Sequence, residues 1–195
     1  SGVTALTNGH YVVRSSNWNG AAVDVGAATW GNGTTGITVG PVSAINSLVG
    51  SIVNDRVGSS GVTALTNGNY VVASPNWDHG AVTNVGAATW GNGFVGMVGA
   101  VSASNSLVGS TLDDQVGRDG VTALINGNYV VASKFWDGVA VANVGAVTWG
   151  NGETGIAGAV TTVNSLVGST ANDQVGSSGV TALINGHYVV ASPFW

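Results

Sequence analysis

Four tryptophans, Trp18, Trp77, Trp136 and Trp195, recur at a constant step of 59 residues. Each follows a tyrosine of a matching series, Tyr11, Tyr70, Tyr129 and Tyr188. A row of indoles at fixed spacing does one of two kinds of work. Exposed, it stacks on sugar rings and suits a multivalent glycan binder. Buried, it fills the contacts between repeated units, because Trp carries a large apolar area and an N–H that one nearby carbonyl satisfies. The inter-unit role is the expectation, with both series as its candidate residues. Trp30, Trp90 and Trp149 stand inside strand-like segments and read as core.

A carboxylate series, Asp55, Asp114 and Asp173, follows Asn54, Asp113 and Asn172. Calcium takes about six to eight oxygen ligands, far more than such a pair supplies. Asp and Asn bond turn backbone without any metal, and that is the expected role. Catalysis has little to work with. His10 and His187 occupy turn positions where the other units carry Asn69 and Asn128, so imidazole and amide are interchangeable there. His79 stands alone beside Asp78, cysteine is absent, and the sole glutamate is Glu153. Neither a nucleophile–base–orienter set nor paired acid and base carboxylates can be assembled within a unit. Gly31-Asn32-Gly33 reads as a turn, because no strand-to-helix junction follows it as in a phosphate cradle. No catalytic, cofactor-binding or metal-ligating residue is assigned, and the chain reads as a non-enzyme.

The 195 residues are 7% charged, with four basic side chains and a net charge of −5. That is far below the roughly 25% of an ordinary soluble domain. Such a chain lacks the basic face that neutralises a phosphate backbone, so nucleic acid is not an expected partner. Gly, Asn, Ser and Thr interrupt every apolar stretch well short of the roughly 20 residues that span a bilayer, so membrane insertion is not expected. Without cysteine there is no disulfide framework. The chain starts in mid-pattern, without an initiator Met or a signal-like segment, and reads as an excerpt of a longer or processed polypeptide of exported type.

The elements that position these residues follow from the repeat itself. Gly2, Gly61, Gly120 and Gly179 open the same phrase at the same step, and the last eighteen residues nearly restate the first eighteen. The organisation is residues 1–59, 60–118 and 119–177 as three full units, then 178–195 as the first hairpin of a fourth. Helix formers are scarce and β-branched residues are dense, which predicts an all-β fold. In the first unit, strands are expected over Gly2 to Leu6, His10 to Ser15, Val25 to Gly31 and near Ala44 to Ser51. Asn8-Gly9 between the first two is a strong hairpin signal, since Asn-Gly accepts the positive φ angles of a tight turn. It recurs at Asn67-Gly68, Asn126-Gly127 and Asn185-Gly186, and a second Asn-Gly follows the third strand at Asn32-Gly33, Asn92-Gly93 and Asn151-Gly152. Trp18 to Trp30 is one residue shorter than Trp77 to Trp90, and the difference falls in the connection, as surface loops allow. The unit is therefore a four-stranded antiparallel blade, β-propeller-like; the alternative is a coil of a broad β-solenoid.

The stretch from Asn164 to Trp195, with Val144 to Gly152, resembles the FG-GAP repeat of integrin α-type β-propellers. The matching positions are Asp173, Val175 and Gly176, then Asn185-Gly186, then Val189-Val190-Ala191-Ser192-Pro193. That family's turn often carries an acidic calcium loop. Here the turn is Leu6-Thr7-Asn8-Gly9-His10, with no carboxylate, so calcium is not carried over. Phrases such as Asn67 to Asp78 and Ala88 to Gly93 are also similar to tandem arrays in large bacterial exoproteins of the filamentous haemagglutinin type. That resemblance implies an extracellular or cell-surface location and an adhesive or structural role.

A blade leaves apolar faces and an unpaired edge unless neighbours cover them. Three blades are too few to close a propeller, whose usual lower limit is about four. The expected partners are copies of the same chain or flanking repeats, stacking into a ring or fibre. A carbohydrate-binding propeller is the second reading, with glycan as its partner.

Overall fold

The computed structural model describes residues 2–37 and 40–195. Every regular element among them is a β-strand. The first unit contributes β1 (Gly2–Ala5), β2 (Tyr11–Ser15), β3 (Ala27–Gly31) and β4 (Leu48–Val49). The second contributes β5 (Gly61–Ala64), β6 (Tyr70–Ser74), β7 (Ala87–Gly91), β8 (Gly99–Ala100) and β9 (Ser106–Val108). The third repeats this with β10 (Val121–Ala123), β11 (Tyr129–Ser133), β12 (Ala146–Gly150), β13 (Gly158–Ala159) and β14 (Ser165–Val167), and the last residues form the hairpin β15 (Val180–Ala182) and β16 (Tyr188–Val190). The fold is a tandem series of antiparallel blades, and among the described residues no barrel closes.

Within each full unit the four main strands form an antiparallel meander, β1-β2-β3-β4 in the first. Register is conserved from unit to unit: Tyr11 faces Gly31, Tyr70 faces Gly91 and Tyr129 faces Gly150. One element escapes the sequence pattern. β8 of the second unit adds to the outer edge of the first blade, parallel to β4, and β13 of the third unit does the same to β9. The first and second blades are thus each finished by two residues of the next, which caps an edge that would otherwise present unpaired backbone groups.

The core lies between blades. Leu6, Val12, Ala28, Leu48 and Val57 of the first unit pack with Tyr70, Val72, Trp77, Val85, Ala87, Val101 and Val108 of the second. The opposite face of that second blade, with Leu65, Val71, Ala88 and Leu107, packs with Tyr129, Val131, Trp136 and Ala146 of the third. Successive side chains of a strand point to opposite faces. In β6, Tyr70 and Val72 therefore enter one interface and Val71 the next. This explains why the segment reads as a continuous apolar run instead of an alternating one. The outer face of the third blade, with Leu124, Val130, Ala132, Val147 and Val175, is covered in turn by Val180, Tyr188 and Val190 of the last hairpin.

The hairpin turns lie where Asn-Gly placed them, but their conformation differs from the expected tight turn. Only the glycine is left-handed, Gly9 at φ 87°. Gly9 N–H reaches the Leu6 carbonyl at 3.1 Å and Leu6 N–H reaches the His10 carbonyl at 2.8 Å. This is a type I turn followed by a bulge at glycine, which keeps the asparagine in an ordinary conformation. The asparagine Oδ1 closes its own turn by accepting the His10 N–H at 3.0 Å, which leaves Nδ2 free to reach outward.

Candidate functional site

The repeated feature with the most specific geometry is the seam between consecutive units. Asn8 Nδ2 crosses it to donate to the carbonyls of Gly68 and Gly93 at 3.2 and 2.8 Å. Asn67 Nδ2 does the same to Gly152 at 2.8 Å, and Asn126 Nδ2 to Gly186 at 3.2 Å. Thr7 and Thr66 hydroxyls donate across the same seams to Leu65 and Leu124 carbonyls, each at 3.1 Å. The receiving surface is built from glycine because the two Asn-Gly turns of a unit touch: a Cβ on Gly93 would stand 1.7 Å from the Gly68 carbonyl oxygen.

The tryptophans divide into two roles. Trp77 and Trp136 are buried, 3% and 5% exposed, against the preceding unit. Their equivalents Trp18 and Trp195 are half-buried and exposed respectively. The indole N–H of Trp77 and of Trp136 is buried without an acceptor, contrary to the expectation that a carbonyl lies within reach. The carbonyl partner belongs to the other series. Trp30 Nε1 donates to Gly93 at 2.9 Å and Trp90 Nε1 to Gly152 at 2.9 Å. Trp30 and Trp90 pack against the core from its rim, and Trp149 departs from the core role the sequence suggested. Trp30 and Trp90 are half-buried and Trp149 is exposed, because each stands one residue from its strand's end, where the sheet gives way to the Asn-Gly turn. Trp30 and Trp90 act as latches on the next unit's turn.

Tyr70 and Tyr129 are fully buried, and their hydroxyls accept the N–H groups of Met97 at 2.9 Å and Ile156 at 3.2 Å. Burial pushes both phenols up to about 12, against the opposing pull of those N–H donors. Tyr11 and Tyr188 are half-buried.

The carboxylates Asp55, Asp114 and Asp173 are buried and bond backbone. Asp55 Oδ2 accepts the N–H groups of Ser51 and Ile52 at 2.7 and 2.8 Å, and Asp114 and Asp173 repeat that cap on their own turns. The second oxygen of Asp55 and of Asp114 crosses the seam to the N–H of Asp78 and of Asp137, each at 2.9 Å. Burial holds the Asp55 carboxyl above its ordinary value, although the N–H groups of Ile52, Asp78 and Ser51 pull it down; the Asp78 charge adds to the rise. Among the described residues no three acidic or histidine side chains converge on a metal position.

The His–Asn interchange has a structural reason. His10 Nδ1 accepts the N–H of Gly33 at 3.1 Å, and Asn69 and Asn128 Oδ1 accept those of Gly93 and Gly152 at 2.9 and 3.0 Å. Either side chain offers one acceptor at that point. His79 stacks on Trp77 with ring centroids 5.5 Å apart. Each basic side chain is engaged nearby: Arg14 on the Gly58 and Ser59 carbonyls, Arg56 with Asp24, Arg118 with Gln115, and Lys134 with Asp119. The shortened loop of the first unit keeps its pin as well, for Asn19 holds Asp24 N–H where Asp78 and Asp137 hold those of Asn84 and Asn143.

Two grooves open beside the latch tryptophans. One of about 630 Å³ is lined by Trp30, Pro41, Ser43, Asn46 and Val95; its counterpart of about 210 Å³ is lined by Trp90, Ser104, Asn105 and Ile156. The asparagines there are already used by their own loops, Asn46 on Ser43 N–H and the Pro41 carbonyl.

A family model described as a repeat of unknown function (DUF5650) matches residues 5–59, 64–118, 123–177 and 182–195. No curated protein matches the chain significantly.

Proposed function

The chain belongs to this family of repeats, and from that premise we propose that it is an extracellular structural or adhesive array whose units work by stacking on one another. The observation that carries the reading is the seam, whose donors and acceptors recur at the unit step while the core clusters lie at the faces where successive units meet. The same faces recur uncovered at the two outer units: Tyr11, Val13 and Trp18 on one, and Leu183 and Val189 on the other, Val189 being 55% exposed. Copies of the chain or flanking repeats supply what covers them. The finer form of the proposal is an FG-GAP-like propeller arc of a bacterial surface exoprotein, completed into a ring or fibre. Light scattering on the 195-residue chain tests it. Concentration-dependent association that Trp18→Ser and Val189→Lys each abolish is expected; a monomer at all concentrations would refute it.

Glycan binding is the second reading, and the half-buried Trp30 and Trp90 beside their grooves favour it over the buried Trp77 and Trp136. A glycan array with the wild type and Trp30→Ala decides it. Binding lost in a folded variant supports this reading, and no binding by the wild type ends it.

A further inference from the structure

The chain carries eight Asn-Gly pairs, beginning at Asn8, Asn19, Asn32, Asn67, Asn92, Asn126, Asn151 and Asn185. Asn-Gly is the pair at which a polypeptide most readily modifies itself, because glycine has no side chain to hinder its nitrogen. The glycine nitrogen attacks the asparagine Cγ. The N–Cγ bond forms, the Cγ–Nδ2 bond breaks, and ammonia leaves with the proton released from the glycine nitrogen. Water then opens the succinimide at either carbonyl, giving aspartate or isoaspartate. The attack needs the glycine peptide to rotate towards Cγ, so an N–H held elsewhere must first be released.

Every one of these glycine N–H groups is held, in three different ways. In the hairpin turns Gly9, Gly68, Gly127 and Gly186 donate to the backbone carbonyls of Leu6, Leu65, Leu124 and Leu183 at 3.1 to 3.2 Å. In the turns after the third strands a side chain does it: His10 on Gly33, Asn69 on Gly93 and Asn128 on Gly152. Gly20 reaches only the Ala22 carbonyl two residues on, at 3.2 Å, in a loop where Asn19 and Gly20 are both exposed. The carbonyls of Gly93 and Gly152 are also fixed from the preceding unit, the first by Asn8 and Trp30 and the second by Asn67, Trp90 and the Nδ2 of Asn69, at 2.8 Å.

We propose that the side chains at positions 10, 69 and 128 guard Asn32, Asn92 and Asn151 against cyclisation, and that Asn92 and Asn151, whose turns receive the preceding unit, are modification sites which become reactive when a seam opens. The site of reaction is also the site of assembly. Aspartate at position 92 adds a charge to the turn that receives Asn8 and Trp30, and isoaspartate lengthens the main chain there by one carbon, displacing the Gly93 carbonyl. An opened seam that reacts does not close again as before. Interchange of His and Asn at the guard position follows, since each presents one acceptor to the glycine N–H.

The test is peptide mapping by mass spectrometry of the whole chain aged at mildly alkaline pH, folded and in denaturant. Folded wild type is expected to convert Asn19 first and Asn92 far more slowly than in denaturant. Asn69→Ala should speed conversion of Asn92 roughly fivefold, the value of one neutral hydrogen bond, and leave Asn126 unchanged. Asn69→His, the residue other units use, should restore the wild-type rate. Equal folded and denatured rates at Asn92 overturn the proposal, as does a folded Asn69→Ala chain ageing at the wild-type rate or an Asn69→His chain ageing like the alanine variant. If Asn69→Ala unfolds, seen as acceleration at all the pairs together, Asn128→Ala read at Asn151 decides by the same criterion.

Discussion

Asp55 Oδ1 accepts the backbone N–H of Asp78 at 2.9 Å, so a carboxylate in the last turn of one unit fixes the residue that follows the buried Trp77 of the next. The same carboxylate holds its own turn through Ser51 and Ile52. It joins two things the array needs at once, a loop in which Asn54 and Arg56 are left-handed at φ 68° and 46°, and the seam itself.

Replacing Asp55 by Ala leaves three backbone donors without their acceptor. Each such loss costs about 1–3 kcal/mol when the group stays dry, so a drop of about 3 kcal/mol or more is expected in urea unfolding monitored by circular dichroism. Asp173→Ala should cost less, because Asp173 holds only its own turn, Ser169 and Thr170. Equal effects at the two positions would show that the seam bond contributes nothing.

Trp77→Ala should destabilise by about 3–5 kcal/mol, the range for an aromatic side chain deleted from a packed interior. Trp18→Ala should cost about 1 kcal/mol or less, because the same ring in the first unit is only half covered. Denaturant midpoints of the two variants measure the difference. Similar losses would mean that Trp77 does not draw its stability from the neighbouring blade.

Gly93→Ala should prevent the native seam from forming. The added methyl would lie 1.7 Å from the Gly68 carbonyl oxygen, a backbone atom that cannot swing aside. Gly36→Ala, where nothing stands within 4 Å but φ is +86°, should cost only the strain of a left-handed alanine, about 1–2 kcal/mol. Expression and thermal unfolding of the pair separate steric exclusion from backbone strain.

The blades were legible in the sequence because both signals involved are local. β-branched runs such as Tyr70–Ser74 mark strands, and Asn67-Gly68 marks the turn before them. The equal treatment of His10 and Asn69 was legible as a tolerance for polar side chains. Its cause was not, because the Gly33 and Gly93 N–H groups they hold lie more than twenty residues away. Distance in sequence also hid the latch, since Trp30 and Gly93 are 63 residues apart and nothing in Trp30's own strand tells an inward ring from a bridging one. β8 and β13 escaped notice because two residues, Gly-Ala, carry neither alternation nor β-propensity. Their pairing is imposed by the preceding blade, whose edge strands β4 and β9 they join.

The buried phenols set an alkaline limit on the fold. Tyr70 and Tyr129 ionise near 10 when exposed and only at about 12 in the folded chain. A group whose folded value is raised contributes stability that is complete below its unfolded value and is lost as pH climbs through the folded one. Between those limits the unfolded chain gives up protons that the folded chain keeps, so stability falls with rising pH. The loss is about 2–3 kcal/mol for each tyrosine across the window. The chemical-denaturation midpoint should therefore hold steady up to about pH 10 and decline steeply above it. Tyr70→Phe combined with Tyr129→Phe removes both ionisations. That variant should start from a lower stability, because the Met97 and Ile156 N–H groups lose their acceptor, yet should show a much shallower decline. An equally steep decline in the double variant would show that the buried phenols do not set the alkaline limit.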